Sequence, residues 1–199
     1  MTSRTLRVLL VIAAFAAGLA SVLAVLLIVA GRGPAPIMAT ASAVGGAFQL
    51  IDQNGRTVTE EDLKGHPTLV FFGFTHCPDV CPSTLFEVSE VLRQLGSDAG
   101  GARGLFVTVD PERDTPEALK DYLASFDPHL SGLTGSREAI DRMLKTYRVY
   151  AKKVPTENGG YTMDHSVLVY LMDKQGRFVA PFSLKRRPEE AAADLRRYL

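Results

Sequence analysis

The chain has 199 residues, 46% of them hydrophobic and 22% charged, and its 22 basic residues are balanced by 22 acidic ones. Arg4, Arg7 and Arg32 precede position 34, so the remaining length, about 166 residues and the size of one domain with its own core, carries 19 basic against 22 acidic residues. That slight negative balance, without a basic stripe, excludes nucleic-acid binding by phosphate neutralisation.

The first element is apolar. Val8 to Ala30 contains no charged residue and is interrupted only by Gly18 and Ser21, and as a helix it would extend roughly 34 Å, enough for a bilayer core. Arg4 and Arg7 hold residues 1–7 in the cytoplasm by the positive-inside rule and export the rest of the chain. The block exceeds a signal core of about 7–15 residues, which favours a retained single-pass inner-membrane anchor over cleavage near Ala39–Ala43. Gly31-Arg32-Gly33-Pro34-Ala35-Pro36 and the small residues to Gly46 read as a tether (31–46), with the soluble domain (47–199) on the periplasmic side.

Ala47–Ile51 and Arg56–Thr59 around Asp52-Gln53-Asn54-Gly55 predict a hairpin with an Asn-Gly turn. Thr68–Phe72 is a continuous apolar run, as expected of a strand covered on both faces. Leu85, Val88, Leu92 and Leu95 recur at helical spacing until Gly96 ends the helix. Gly104–Val109 reads as a second buried strand, and Thr115 with Pro116 starts another helix. Ile140, Met143, Leu144 and Tyr147 form an amphipathic stripe after Ser136. His165–Leu171 and Arg177–Pro181 read as two strands about an Asp173–Gly176 turn. Pro188 opens the last helix, with Glu189 and Glu190 at its positive end and Arg196 and Arg197 at its negative end. This order predicts an α/β sandwich of the thioredoxin type: a central mixed sheet flanked by helices, an N-terminal hairpin and one preceding transmembrane helix. The first two central strands should be parallel because a helix crosses between them. The loops after Phe72 and Val109 then share the sheet edge where ligands gather.

One of those loops holds both cysteines, in Phe74-Thr75-His76-Cys77-Pro78-Asp79-Val80-Cys81-Pro82-Ser83. At a helix start, residues four apart share a face, and the helix N-terminus favours thiolate. Pro78 and Pro82 stiffen the loop. His165 lies far downstream. Two thiols and an imidazole suit a monovalent copper ion or dithiol chemistry, and the residues alone leave both open.

The stretch Phe72–Pro82, the stretch Val109-Asp110-Pro111-Glu112-Arg113-Asp114-Thr115-Pro116 and the stretch Asp164-His165-Ser166-Val167-Leu168-Val169-Tyr170-Leu171 together resemble the Sco/SenC copper-delivery proteins. The resemblance covers residues 45–199 and the N-terminal anchor. It implies a thioredoxin-like domain that binds one copper ion, Cu(I) or Cu(II), through Cys77, Cys81 and His165. It further implies delivery to the binuclear copper centre on the copper-bearing subunit of cytochrome c oxidase, a non-enzymatic role. An exported dithiol that works reduced needs an external, thioredoxin-like reductant, and the same two cysteines form the redox disulfide.

Blander readings attach to each residue. Cys77 and Cys81 can form a plain disulfide, although so small a loop adds little stability. His165 can be a core histidine. His76 adjoins Cys77 but neighbouring side chains point apart; His66 and His129 read as solvated loop residues, and Met143 and Met163 as core fillers. Asp79 and Asp164 either orient ligands or simply make turns, and Asp110 and Glu112 either serve the functional edge or cap a helix. The rival function is an exported thiol–disulfide oxidoreductase or peroxidase. Against it, the spacer is one residue longer than Cys-x-x-Cys, no proline precedes His165 in Tyr161–Asp164, and Thr75 sits two rather than three residues before Cys77. A copper-dependent redox sensor is a third reading.

Overall fold

The computed structural model describes residues 12–13, 15–24, 44–157 and 159–199. The chain divides into two compact units, Met1–Thr40 and Ala41–Leu199. In the first, the described residues are helical and expose Ile12, Phe15, Leu19, Val22 and Leu23. Among the described residues no helix is long and apolar enough to cross a membrane. The expected anchor (8–30) and tether (31–46) extend outside them, and the cytoplasmic terminus (1–7) lies wholly outside.

The second unit opens with the expected hairpin, β1 (Gln49–Asp52) against β2 (Thr57–Thr59), with Leu50 opposite Val58. Its turn is fixed by Asp52, whose carboxylate accepts the Asn54 and Arg56 N–H groups at 2.9 Å each. Gly55 takes the left-handed φ of +78° that an Asn-Gly turn requires. Strand β3 (Thr68–Gly73) is buried at all six positions, as expected of a strand covered on both faces. Helix α1 (Val80–Leu95) ends at Gly96, which has a φ of +59°. Then come β4 (Arg103–Thr108), α2 (Pro116–Leu123), β5 (Leu130–Thr134) and α3 (Arg137–Thr146). Thr115 and Ser136 cap α2 and α3, each accepting a backbone N–H at 3.2 Å. The chain finishes with β6 (Ala151–Pro155), β7 (Tyr161–His165), β8 (Val169–Met172), β9 (Phe178–Pro181) and α4 (Pro188–Arg196).

Seven strands form one mixed sheet in the order β2-β1-β5-β4-β3-β8-β9. β3–β4 and β4–β5 are parallel and the outer pairs antiparallel. Helices pack on the sheet, α1 on β4, α2 on β5 and α3 on β1, while α4 packs on α1. This matches the predicted α/β architecture. The core is aromatic at its centre, where the fully buried Phe72 ring meets Tyr147 at 5.5 Å and Tyr170 at 5.8 Å.

Two expectations need correction. The strand expected over His165–Leu171 is two strands. His165 ends β7, which pairs only with β6 in a separate two-stranded sheet, and the main sheet resumes at Val169. Tyr150 and Ser166 close the base of that hairpin, with Ser166 N–H donating to Tyr150 C=O and Tyr150 N–H to Ser166 Oγ. Helix α1 starts at Val80, so Cys81 lies in its first turn as expected, whereas Cys77 precedes the cap residue Asp79 and lies outside the helix.

Replacing Phe72 with alanine should remove about 3–5 kcal/mol of unfolding free energy in a denaturant titration. A loss below about 1 kcal/mol would contradict the packing described.

Candidate metal centre

Because β3 and β4 are parallel, both leave the sheet at the same edge, where Val109 N–H donates to Gly73 C=O at 2.7 Å. The segment after β3 turns at once, Cys77 N–H donating to Phe74 C=O (3.2 Å), and enters α1. Cys81 is completely buried and Cys77 half-buried, and both are free thiols. Cys81 N–H donates to Cys77 Sγ at 3.4 Å, so one turn of backbone links the two sulfurs.

Room for Cys81 depends on Gly73. A Cβ there would stand 2.8 Å from Cys81 Sγ and 2.7 Å from the Phe106 ring, closer than carbon atoms pack. The helix N-terminus was expected to favour thiolate, but at Cys81 the environment does the reverse. Burial pushes its thiol above the ordinary value, aided by the Cys77 sulfur and the charge of Asp114.

His165 enters from the end of β7. Its Nε2 lies 3.7 Å from Cys81 Sγ, and its Nδ1 lies 2.9 Å from Ser166 C=O. A carbonyl oxygen only accepts, so in the neutral ring Nδ1 carries the proton and Nε2 presents its lone pair towards the sulfur. The edges of Phe71 (6.4 Å, 64°) and Phe74 (5.7 Å, 88°) frame the imidazole. The structure therefore sets both His165 and Cys77 beside Cys81. Among the described residues, no group of three or more His, Cys, Asp or Glu side chains is already arranged to hold a metal ion.

The other candidates lie elsewhere. His76 is exposed, with Nδ1 3.0 Å from Thr75 Oγ1. His66 and His129 are partly exposed, and each also makes a hydrogen bond, His66 Nδ1 to Gly101 C=O (3.2 Å) and His129 Nδ1 to Asp127 (2.8 Å). Met143 and Met163 are buried in the core. Asp79 precedes α1 and accepts Ser83 Oγ–H (3.3 Å), while Asp164 is exposed. Glu112 pairs with Lys153 at the surface, and Lys153 holds its carboxyl below the usual range.

Sequence reasoning missed how the site is held. Asp114 is fully buried and accepts from Thr75 N–H (3.1 Å), Thr75 Oγ–H (2.6 Å) and Thr108 Oγ–H (2.6 Å), tying the cysteine loop to the end of β4. Asp110, also fully buried, accepts from Arg113 Nε and from Tyr161 Oη (3.0 Å) on β7. The signal was present as the charged stretch Asp110–Asp114, but of its partners only Thr108 is near in sequence, while Thr75 and Tyr161 are 39 and 51 residues away.

Residues 37–199 match the family described as SCO1/SenC. The mitochondrial SCO2 homolog of Bos taurus is 43% identical over 162 residues, which cover 79% of this chain and 61% of the bovine protein. The structure of Bradyrhizobium japonicum ScoI with copper bound has a TM-score of 0.77 and 65% identity, covering 78% of this chain and 99% of that one. BsSco, described as a member of the Sco family of cytochrome c oxidase assembly proteins with a disulfide switch, has a TM-score of 0.60 at 25% identity, over 77% and 91% of the two chains. The chain belongs to the SCO1/SenC family.

The unequal burial of the thiols predicts that iodoacetamide modifies Cys77 first and leaves Cys81 protected until the domain unfolds. Peptide mass spectrometry showing equal or inverted labelling would contradict the geometry. Because the Cys81 thiol is raised in the folded state, its contribution to stability is intact below the ordinary thiol value of 9.0 and is lost as pH climbs beyond it. Unfolding midpoints of the metal-free protein should therefore fall above that pH, and Cys81→Ala should flatten that part of the profile.

Proposed function

We propose that this SCO1/SenC protein is a membrane-anchored copper chaperone that carries one copper ion on Cys77, Cys81 and His165 and delivers it to the binuclear copper centre of cytochrome c oxidase. The observation that carries the reading is the 3.7 Å separation of His165 Nε2 and Cys81 Sγ, with Cys77 Sγ accepting the Cys81 N–H at 3.4 Å. Bonds of about 2.3 Å to sulfur and about 2.0 Å to nitrogen, typical of a d10 first-row ion, meeting at about 120° separate the two donors by about 3.7 Å.

The chemistry of the donors agrees. Two thiolates and a neutral imidazole give a Cu(I) site of net charge −1; soft sulfur selects copper(I), and a missing fourth strong ligand disfavours structural zinc. Support also comes from the copper-bound relative of 65% identity and from BsSco, described within a family of cytochrome c oxidase assembly proteins. The acceptor is the copper-bearing subunit of the oxidase. Residues 8–30 anchor the chain as a single inner-membrane span, consistent with the exposed apolar side chains from Ile12 to Leu23. Residues 1–7 face the cytoplasm, 31–46 form the tether, and 47–199 work on the periplasmic side. There the thiols oxidise to a Cys77–Cys81 disulfide, so a thioredoxin-like reductant restores them.

A second reading has one observation in its favour. Cys77 is the more accessible sulfur and receives the Cys81 N–H, as an attacking thiol would. In that role Cys77 attacks a target disulfide and Cys81 resolves the mixed disulfide, so two electrons and two protons pass to the target cysteines.

Titrating the reduced full-length chain with Cu(I) against a chromophoric chelator should give one ion per chain with sub-micromolar or tighter affinity. Failure to retain copper would refute the chaperone reading. Cys77→Ser or Cys81→Ser should abolish retention, and His165→Ala should loosen Cu(II) more than Cu(I). Since Cys81 enters the reaction protonated, calorimetry in buffers of different ionisation enthalpy should show at least one proton released per copper near neutral pH, and affinity should rise with pH. Insulin reduction well above background, with weak copper binding, would favour the second reading.

A further inference from the structure

The hairpin β6–β7 that carries His165 is a separate two-stranded sheet, and an isolated hairpin is marginal in water. Its seat on the domain must therefore come from side-chain contacts. The exposed Lys153–Glu112 ion pair is one of them, and pairs of that kind contribute little. Met163 is buried in the core, and the polar contacts gather on the partly buried Tyr161, at the opposite end of β7 from His165. Tyr161 Oη donates to the fully buried carboxylate of Asp110 (3.0 Å), and Arg113 Nη1 donates to Tyr161 C=O (3.2 Å). The Arg113 guanidinium also stacks 3.9 Å from the Tyr161 ring centre and 5.8 Å from that of Phe74, the ring whose other neighbour is the His165 imidazole. Arg113 Nη2 is buried with no hydrogen-bond partner among the described residues.

Tyr161 and His165 are four residues apart on one strand, so their side chains share a face, with the buried Met163 between them. Fixing Tyr161 therefore fixes the height and rotation of the imidazole over the sulfurs. We infer that Asp110, Arg113 and Tyr161 form a positioning clamp that holds His165 at coordinating distance from Cys81 and so sets how strongly the imidazole takes part in binding copper. The inference rests on the reading of His165 as a ligand. The three clamp residues touch neither thiol nor ion, and act only through the strand and through Phe74.

The mildest probe is Tyr161→Phe, which removes one hydroxyl and keeps the ring under Arg113. In the full-length chain it should lower Cu(II) affinity about tenfold, the scale of an outer-shell loss. It should also weaken the imidazole nitrogen coupling in the electron paramagnetic resonance spectrum of the Cu(II) form. Cu(I), satisfied by two thiolates, should shift by less than about threefold. Combined with His165→Ala, Tyr161→Phe should cost no further Cu(II) affinity, because the clamp acts only through the imidazole. A Tyr161→Phe protein whose thermal midpoint falls while its Cu(II) affinity and nitrogen coupling stay native would overturn the inference, as would full additivity with His165→Ala. A His165→Ala protein with an unchanged Cu(II) spectrum would instead remove the ligand assignment itself, which separates failure of the premise from failure of the clamp.

Discussion

Thr108, the last residue of a central parallel strand, joins the two halves of the candidate site through a single hydroxyl. It donates to Asp114, which holds the cysteine loop through Thr75, and accepts the N–H of Asp110, which holds the histidine hairpin through Tyr161. Burying two carboxylates is costly unless each is fully hydrogen-bonded, and here each has several donors. Hydrogen bonds to charged groups are worth about 1.5–3 kcal/mol apiece, and losing one partner leaves a desolvated charge behind. That asymmetry makes the turn rigid, and both donor-bearing segments inherit its rigidity.

Space and protonation divide the work between the two sulfurs. Gly73 leaves the gap that Cys81 fills, beneath Phe106 and Phe71, and the same burial keeps that thiol protonated until something replaces the proton. Cys77 is more open to solvent. On the proposed reading, a soft cation arriving at this edge meets the accessible sulfur first, and full coordination requires expelling a proton from the buried one. On the proposed reading, loading and release are therefore coupled to proton movement at Cys81, which gives a carrier a means of letting its cargo go.

The elements best written in the sequence were those whose reasons are local. The unbroken apolar run Thr68–Phe72 gave a strand buried on both faces, Asn54-Gly55 gave a turn, Gly96 a helix end, and Thr115 and Ser136 two caps. The β5 strand was not legible, because Ser131 and Gly132 interrupt its apolar pattern, and Gly132 is tolerated only because its neighbours Leu119 and Leu123 fill the space a side chain would take. The β6 strand was missed because Lys152 and Lys153 give it no buried face. His165–Leu171 reads as one strand by residue type, since nothing local shows that Ser166 turns back to bond Tyr150. The three candidate donors stood out through their scarcity and setting. Their supports, Thr75, Thr108, Arg113, Asp114 and Tyr161, are ordinary residues that acquire meaning only when the chain brings distant positions together.

The topology also separates what is fixed in this site from what can be adjusted. The cysteines lie in the loop after a central strand and in the first turn of α1, and Cys81 is packed beside Gly73 and Phe106, so shifting it would disturb the core. The imidazole belongs to a hairpin outside that sheet, seated by Met163 in the core and by a few polar contacts. On the proposed reading, copper(I) is served by the thiol pair, whereas copper(II) gains most from the nitrogen. Placing the harder donor on a separate element, held through Tyr161, then lets the strength of the nitrogen bond be set without spending the stability of the core around the sulfurs.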